Sequence, residues 1–308
     1  MNKITRYLLL AAALLLSLQA CGGGQDSKTA AESKEPPLRF CYMICDSRAL
    51  SAARFAPFTA YLSEKLGRKI EMTLVNTFDV ETLAKKNEFD FFHVNSVIAV
   101  LLKERYKAEF LAVDMQGRNG HMATGTLIAR KESGIKTIAD MKGKTLLFGP
   151  ALAPFGYMAQ YSMMLENGLD PETDLARYDI PPGSLKHDKI MFGVEYGKYD
   201  IGAAPRIDLD RMVADDIINI DDYHIIAESE KMPYCTIGAA AHVDKGLQEK
   251  VKNILLNLKK DETALVDGEV LKVLKRMGLD GFHPAIDSEY DIIRDKLRLN
   301  NMAPYDKH

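Results

Sequence analysis

The apolar positions after Pro37 follow two alternating patterns. Short apolar runs, of which residues 38–45 are the first, are typical of buried strands. Longer segments with apolar residues at helical spacing, such as residues 55–66 before Gly67, predict amphipathic helices. Because strand and helix patterns alternate along the chain, the sequence predicts an α/β fold with mainly parallel sheets.

The pattern predicts two successive units and a third stretch that follows them. The first unit has strands at residues 38–45, 69–75, 89–94, 109–115 and 124–130, and helices at 55–66, 79–86 and 96–106, the last capped by Asn95 or Ser96. The second has strands at residues 144–148, 177–180, 199–203 and 224–227, and helices at 135–141, 156–167, 186–196 and 209–214. A β-like segment at residues 234–241 and helices at 247–259 and 269–277 follow.

The first twenty residues are patterned differently from the rest. Lys3 and Arg6 precede an apolar run at residues 8–16, and Leu-Gln-Ala-Cys at residues 18–21 closes it. That order is typical of a secretory signal peptide, here residues 1–20. The run is shorter than the roughly 20 residues that a membrane-spanning helix needs. The sequence therefore predicts export to the cell envelope.

The end of this segment resembles the lipobox of bacterial lipoproteins. The resemblance implies cleavage before Cys21 and attachment of a lipid to its sulfur, at the periplasmic or outer face of a membrane. An ordinary signal peptide followed by an incidental cysteine is the alternative. Residues 21–36 begin with glycines and continue with polar residues, which fits a flexible tether. We therefore expect contact with the membrane through the lipid anchor only.

Composition changes this picture little. The 308-residue chain carries a formal charge of −3, and loss of Lys3 and Arg6 with the signal peptide leaves about −5. A chain with this balance lacks the basic footprint of a nucleic-acid-binding protein. Its length favours about two domains.

The sequence allows two interpretations of the cysteines. With Cys21 assigned to the anchor, Cys41, Cys45 and Cys235 remain, and three cannot all pair internally. On one strand, Cys41 and Cys45 would be about 13 Å apart, too far for a disulfide. They are either small buried hydrophobic residues, or Cys45 forms a bridge with Cys235.

The familiar catalytic motifs do not fit. Gly143-Lys144-Thr145 has the end of a phosphate-binding loop, but Ile138 stands where the earlier glycine is required. The sequence contains no HExxH, GxSxG or paired CxxC motif, and its seven histidines lack metal-ligand spacing. A catalytic triad assembled in space stays possible. We predict that the protein is not an enzyme and uses no cofactor or metal.

Several blocks of the sequence resemble the phosphate/phosphite/phosphonate-binding proteins of ABC transporters. They lie at residues 58–67, 89–92, 133–144, 167–171 and 197–203, within a region of similarity that covers about residues 38–260. The block at residues 133–144 is the most specific. The resemblance implies a type II periplasmic-binding fold, in which two α/β lobes are joined by two crossing hinge strands and the ligand lies between them.

This resemblance predicts discontinuous lobes. Residues 37–130 and 234–308 form lobe 1 and residues 131–233 form lobe 2, with crossing strands at residues 124–130 and 232–241. The implied function is that of a monomeric substrate-binding lipoprotein that delivers a small solute to an ABC permease. A ligand-sensing protein for a signalling receptor is the alternative, and a metal carrier or an enzyme is a weaker one.

Three junctions between a strand and a helix predict the ligand site. In open α/β sheets, ligands bind at the carboxyl ends of strands, where helix N-termini favour anions. The candidates from these junctions are Asp46, His93, Asn95, Ser96, Ala153, Phe155, Gly156 and Tyr157, to which we add His121 and Arg206. The alternatives are packing for the histidines and Phe155, and solvation for Asp46 and Arg206.

The third junction departs from the family pattern. In phosphonate binders this turn reads Ser-Thr-Ser-Gly-Tyr and holds the phosphoryl oxygens, but here residues 153–157 read Ala-Pro-Phe-Gly-Tyr. The three hydroxyls are absent, and Pro154 also lacks an N–H group. A buried charge without partners is costly. We therefore expect weak binding of phosphate and phosphonates, and a small ligand with an apolar or aromatic part and one carboxylate or similar polar group.

Overall fold

Two mixed β-sheets with helices on their faces form the part of the chain that the structure describes. The computed structural model describes residues 35–44, 46–181 and 187–307. The strands are β1 (Leu38–Met43), β2 (Ile70–Val75), β3 (Phe91–Val94), β4 (Glu109–Met115), β5 (Met122–Ala123), β6 (Gly125–Arg130), β7 (Thr145–Leu147), β8 (Arg177–Asp179), β9 (Ile201–Pro205), β10 (Tyr223–Glu228), β11 (Met232–Pro233), β12 (Thr236–Ala239), β13 (Thr263–Val266), β14 (Glu269–Lys272) and β15 (Gly281–Pro284).

The helices alternate with these strands over most of the chain. The α-helices are α1 (Arg48–Leu66), α2 (Asp79–Lys85), α3 (Ser96–Tyr106), α4 (Ala159–Glu166), α5 (Pro171–Asp174), α6 (Asp188–Glu195), α7 (Arg206–Ala214), α8 (Lys245–Leu256), α9 (Val273–Met277) and α10 (Asp291–Leu299). Short 3₁₀ turns lie at Gly117–Asn119, Lys131–Ser133, Ile138–Met141, Ile220–Asp222 and Asp287–Tyr290, and a π-helical turn lies at Pro154–Met158. Of the described helices, none is both long and apolar enough to cross a membrane. The predicted signal peptide, Cys21 and Cys45 lie outside the described residues.

The two sheets take their strands from different parts of the chain. The larger sheet has the order β15-β4-β12-β3-β1-β2, and the smaller one has the order β10-β6-β9-β7-β8. A separate two-stranded ribbon pairs β5 with β11, so that Met122 lies opposite Pro233. The chain leaves the larger sheet through β5 and returns to it through β11.

Both sheets are mixed, whereas the sequence predicts mainly parallel sheets. Strands joined through a helix, such as β1 and β2, are parallel because a crossover returns the chain to the same end of the sheet. By contrast, β6 is antiparallel to β9 and β10, and β12 is antiparallel to β3 and β4. Each of these two strands follows a strand of the β5–β11 ribbon. Strands β6 and β12 therefore run in the direction opposite to their neighbours, and no local sequence pattern predicts this direction.

The helices bury both faces of each sheet. Helices α1, α8 and α9 cover one face of the larger sheet, and α2 and α3 cover the other. Helix α4 covers one face of the smaller sheet, while α6 and α7 cover the opposite face. A further buried cluster contains Val97 of α3, Phe155 of the π-helical turn and Ile293 of α10. This cluster joins the helices of the two sheets beside the cavity described below.

Helix α1 begins seven residues earlier than the periodicity predicts. Ser47 caps it by accepting a hydrogen bond from the N–H of Leu50, and Pro57 lies inside it. Proline has no N–H to donate to the carbonyl four residues earlier, which belongs to Ala53. That oxygen instead accepts a hydrogen bond from Nε of Arg276, 3.2 Å away. A contact from a distant segment therefore satisfies the carbonyl that Pro57 leaves without a partner.

The predicted helix at residues 269–277 is wrong in its first half. Residues 263–272 form the β13–β14 hairpin, and α9 occupies only the last five residues of the predicted helix. Asp267 and Gly268 connect the two strands, and both have positive φ angles, 49° and 84°. Asp-Gly is the dipeptide that favours such two-residue turns. The hairpin signal was therefore present in the sequence.

Candidate functional site

A cavity of about 400 Å³ lies where strands of both sheets end. It adjoins the carboxyl ends of β1, β3, β7 and β9, which is the edge where open α/β sheets bind ligands. The side chains that line it are Met43, Ile44, Asp46, Leu50, Ser51, Arg54, Phe55, Thr77, His93, Asn95, Gln116, Pro150, Ala153, Pro154, Phe155, His187, Asp188, Pro205, Asp208, Arg211, Tyr234, Cys235, Met277 and Gly278. All three junctions predicted from the sequence contribute to this cavity.

His93 lies on β3, between β1 and β12, with its ring close to Phe55 of α1. The ring centroids are 5.2 Å apart. Nε2 of His93 lies 2.8 Å from Oδ2 of the buried Asp114, so a neutral ring donates from Nε2 and keeps a lone pair on Nδ1. This Nδ1 is buried and has no hydrogen-bond partner among the described residues. A ligand that donates a hydrogen bond would satisfy it.

Asn95 connects two of the junctions. Its side-chain oxygen accepts a hydrogen bond from the N–H of Ile98 at 2.9 Å, so it caps α3 as the sequence predicts. Its Nδ2 donates to the carbonyl of Leu152, in the turn after β7, at 3.1 Å. Asn95 therefore holds the end of β3 against the turn that follows β7.

The π-helical turn Pro154–Met158 brings Phe155 to the cavity wall. Phe155 is buried and its ring stacks on Tyr234, with 6.1 Å between centroids. The carbonyl of Phe155 accepts a hydrogen bond from Nε2 of Gln160 at 2.6 Å, and the same Nε2 lies 3.2 Å from the carbonyl of Thr126 on β6. Gln160 thus fixes the turn to the smaller sheet. The N–H groups of Phe155 and Gly156 lie in the first turn of this helical segment, where backbone N–H groups lack an intrahelical acceptor.

Gly156 makes room for an imidazole that the sequence analysis did not select. A Cβ at Gly156 would lie 2.8 Å from Nε2 of His187. Nδ1 of His187 is 2.8 Å from Oδ2 of Asp208, which follows β9 on α7. Nε2 of His187 is buried and lacks a partner in the described part of the chain. His93 and His187 therefore both line the cavity, and a carboxylate orients each of the two imidazole rings.

The charged groups of the cavity largely compensate one another. Arg211 pairs with Asp188 and lies 3.9 Å from Asp208. Burial raises the pKa of Asp208, but the hydrogen bond with His187 and the nearby Arg211 and Arg54 outweigh it and lower this pKa overall. Arg54 also donates to the carbonyl of Met277 at 2.8 Å. The charge of Arg211 is therefore paired with carboxylates, whereas Arg54 contacts a neutral carbonyl.

Five of the predicted residues are not among those that line the cavity: Gly156, which lies against His187, and four others. Ser96 is fully buried at the start of α3, and Tyr157 packs edge-on against Phe148 in the core of the smaller sheet, 4.8 Å between centroids. Arg206 forms ion pairs with Asp210 and Glu228. His121 stacks on His283 near the β5–β11 ribbon. Tyr157, Arg206 and His121 each have a ring or charge partner away from the cavity, whereas Oγ of Ser96 has no hydrogen-bond partner among the described residues.

No sequence pattern identified the cavity residues that α1 and the segments after β8 supply. Arg54, His187, Asp208, Arg211 and Tyr234 all line the cavity. Most of these residues lie in a helix or near its start. There, the sequence around a polar residue that lines a cavity does not differ from the sequence around a polar residue exposed to solvent. A signal existed for Asp208 alone, because it follows soon after the strand predicted at residues 199–203.

Two groups of side chains have donor atoms close enough to share a metal ion. His93, Asp114 and Cys235 form the first, next to the cavity, and His121, His283 and Glu289 form the second. Within each group, one donor atom per residue lies within 4.8 Å of the others.

The chain matches a protein-family model over residues 40–290. The model describes the ABC transporter, phosphonate, periplasmic substrate-binding protein family. This match spans most of the chain and includes every strand of both sheets except the first two residues of β1.

Solved structures with the same fold cover most of this chain. A binding protein component of an ABC phosphonate transporter from Pseudomonas aeruginosa is 17% identical, with 87% of this chain and 88% of that one aligned and a TM-score of 0.69. PhnD1 from Prochlorococcus marinus in complex with methylphosphonate is 14% identical, over 86% and 98%, with a TM-score of 0.71. A Xanthomonas citri protein bound to ATP is 17% identical, over 87% and 100%, also with a TM-score of 0.71.

Proposed function

Because the chain belongs to the family of periplasmic substrate-binding proteins of phosphonate ABC transporters, we propose that it binds its solute in the cavity between the two sheets and presents it to an ABC permease. The importer role and the two-lobed α/β fold follow from the family. One observation carries the location of the site. Residues after β1 and β3 of one sheet and after β7 and β9 of the other line a single cavity.

The proposed lobes are residues 37–130 with 234–308, and residues 131–233. Support comes from the two sheets, whose strands lie at residues 38–115 with 236–284 and at residues 125–228. Strand β6 at residues 125–130 belongs to the smaller sheet, so the boundary at residue 130 has to move to the start of β6. The β5–β11 ribbon and the strands after it are the proposed hinge. A ligand that contacts both lobes would favour the closed arrangement by its differential affinity.

The proposed ligand is small, with an apolar or aromatic part and one carboxylate or similar group. Phe55, Phe155 and Tyr234 supply aromatic surface in the cavity. The N–H groups of Phe155 and Gly156 lie in the first turn of the helix, which suits one carboxylate. The unpartnered nitrogens of His93 and His187 suit a hydrogen-bond donor on the same ligand.

Phosphate and simple phosphonates are proposed to bind weakly. The turn at residues 153–155 offers no hydroxyl, and the lining side chains include Asp46, Asp188 and Asp208 against two arginines. A dianion buried among these groups would lack the three hydroxyl donors of the family turn and would face like charge.

Calorimetry tests both parts of this proposal. We expect phosphate, phosphite and methylphosphonate to give little heat, while a panel of aromatic and aliphatic carboxylates contains a binder. Phe155→Leu, which keeps the side chain apolar but removes the aromatic ring, should alter the affinity of that binder, whereas Tyr196→Ser at an exposed position should not. Micromolar binding of a phosphonate that is unaffected by Phe155→Ser would contradict the proposal.

Membrane attachment through Cys21 is proposed from the lipobox and the polar tether that follows it. Two or three acyl chains give stable anchoring, whereas one binds a bilayer only marginally. Fractionation of cells that produce the wild type or Cys21→Ala checks this. Recovery of the variant in the membrane fraction would count against the anchor.

A further inference from the structure

His121, His283 and Glu289 come together outside the cavity, although they are distant in sequence. His121 immediately precedes β5, His283 lies on the edge strand β15, and Glu289 lies in the 3₁₀ turn before α10. The two imidazole rings are stacked, with 3.8 Å between centroids and 3° between planes, so one ring has to rotate before both nitrogen lone pairs point at a single ion. Nε2 of His121 is 3.3 Å from both carboxylate oxygens of Glu289.

The hydrogen bonds around this cluster leave metal-binding lone pairs. Nδ1 of His283 lies 2.8 Å from the carbonyl of Pro284, so this nitrogen carries the proton and Nε2 keeps its lone pair. A backbone carbonyl that holds the second nitrogen of a histidine is the usual outer partner of a metal ligand. Oε2 of Glu289 is buried and, apart from its ion-pair contact with His121, has no hydrogen-bond partner among the described residues.

We propose that His121, His283 and Glu289 bind one divalent transition-metal ion, for which Zn²⁺ is the probe. Two imidazoles and one carboxylate are a common zinc ligand set, and one donor atom from each residue lies within 4.8 Å of the others. The three residues are only partly buried, so water has access to a fourth position. The ion would link the segment before β5 to β15 and to the start of α10. This proposal does not depend on the solute that the cavity binds.

Zinc titration of the purified, EDTA-treated chain, without a histidine tag, tests the site. We expect one Zn²⁺ per chain by calorimetry and a higher Tm in its presence. His283→Gln and Glu289→Gln should each weaken zinc binding by at least the factor of about 10 to 100 that loss of an outer partner costs. His224→Gln, on β10 of the other sheet, is the matched control and should leave zinc affinity unchanged.

Cobalt distinguishes this site from the cluster next to the cavity. Co²⁺ bound to His121, His283 and Glu289 should absorb weakly in the visible range without a thiolate charge-transfer band, because the ligands are nitrogen and oxygen. A thiolate band that disappears in Cys235→Ser would place the ion beside His93 and overturn the proposal. So would the absence of zinc binding, or zinc binding that folded His283→Gln and Glu289→Gln proteins retain in full.

Discussion

Nδ2 of Asn95 donates a hydrogen bond to the carbonyl oxygen of Leu152, 3.1 Å away, while the side-chain oxygen of Asn95 caps α3. One amide therefore has two separable roles. Asn95→Ala removes both, and we expect it to lower the free energy of unfolding by about 1–3 kcal/mol, from the cap and one further hydrogen bond. Asn95→Ser keeps a capping oxygen but cannot reach Leu152, so it should cost clearly less.

Urea unfolding of the two variants checks this division. Equal destabilisation by alanine and serine would show that the cap contributes nothing and that the contact with Leu152 accounts for the whole effect.

Gly156 and His187 should be coupled energetically. Because a Cβ at Gly156 would lie 2.8 Å from Nε2 of His187, Gly156→Ala must displace the imidazole. We expect a loss of about 1–3 kcal/mol in unfolding free energy, typical of overpacking. In a His187→Ala background the same substitution should cost clearly less, since the clashing ring is gone. Additive losses in this double-mutant cycle, measured by urea unfolding, would contradict the predicted contact.

The carboxylate of Asp208 should stabilise the fold at neutral pH and lose this effect in acid. Its pKa in the folded protein lies below the ordinary value of about 3.9. A lowered folded pKa means that the unfolded chain takes up the proton first as the pH falls. The stabilisation is therefore complete above about pH 5 and is lost as the pH falls through the folded pKa.

Asp208→Asn tests this pH dependence. The difference in unfolding free energy between the wild type and this variant should be largest at neutral pH and shrink below about pH 4. Asp215→Asn is the matched control, because Asp215 is more exposed and pairs with the same Arg211 at 3.7 Å. We expect a smaller effect from the control, since exposed ion pairs contribute little. A difference for Asp208→Asn that stays constant from pH 7 to pH 3 would refute the assignment.

Features of the fold that depend on a single short segment could be predicted well from the sequence. The strand at residues 109–115 has its predicted limits, α3 spans residues 96–106 as predicted, and Asn95 caps it. The beginning of α1 was missed because Pro57 interrupts its hydrogen bonding, and Arg276 supplies the compensating donor from 223 residues away. No pattern in the sequence near Pro57 indicates this contact.

The candidate site shows the same limit. The three strand ends could be located because apolar runs end there, and Asp46, His93, Asn95, Ala153 and Phe155 do line the cavity. Which side of the chain each following residue faces depends on tertiary packing. Tyr157 turns into the core of the smaller sheet, and His121 stacks on a ring that lies 162 residues later in the sequence.

The turn at residues 153–155 should control whether the cavity accepts a phosphonate. Replacing it with the family pattern, by Ala153→Ser, Pro154→Thr and Phe155→Ser together, would add three hydroxyls and one N–H group at the start of the helix. Each hydrogen bond contributes about 1 kcal/mol, so three would strengthen binding by roughly 100-fold, and the carboxylates of Asp46, Asp188 and Asp208 would offset part of this.

We therefore expect the triple variant to bind methylphosphonate at least about tenfold more tightly than the wild type in calorimetry, since only the surplus over the acidic groups appears as affinity. Ala153→Ser alone adds one hydroxyl and should give a much smaller gain. Tyr196→Ser adds a hydroxyl at an exposed position away from the cavity and should give none. If the triple variant stays folded and gains no affinity, the missing donors of this turn are not what limits phosphonate binding, and the acidic lining becomes the stronger explanation.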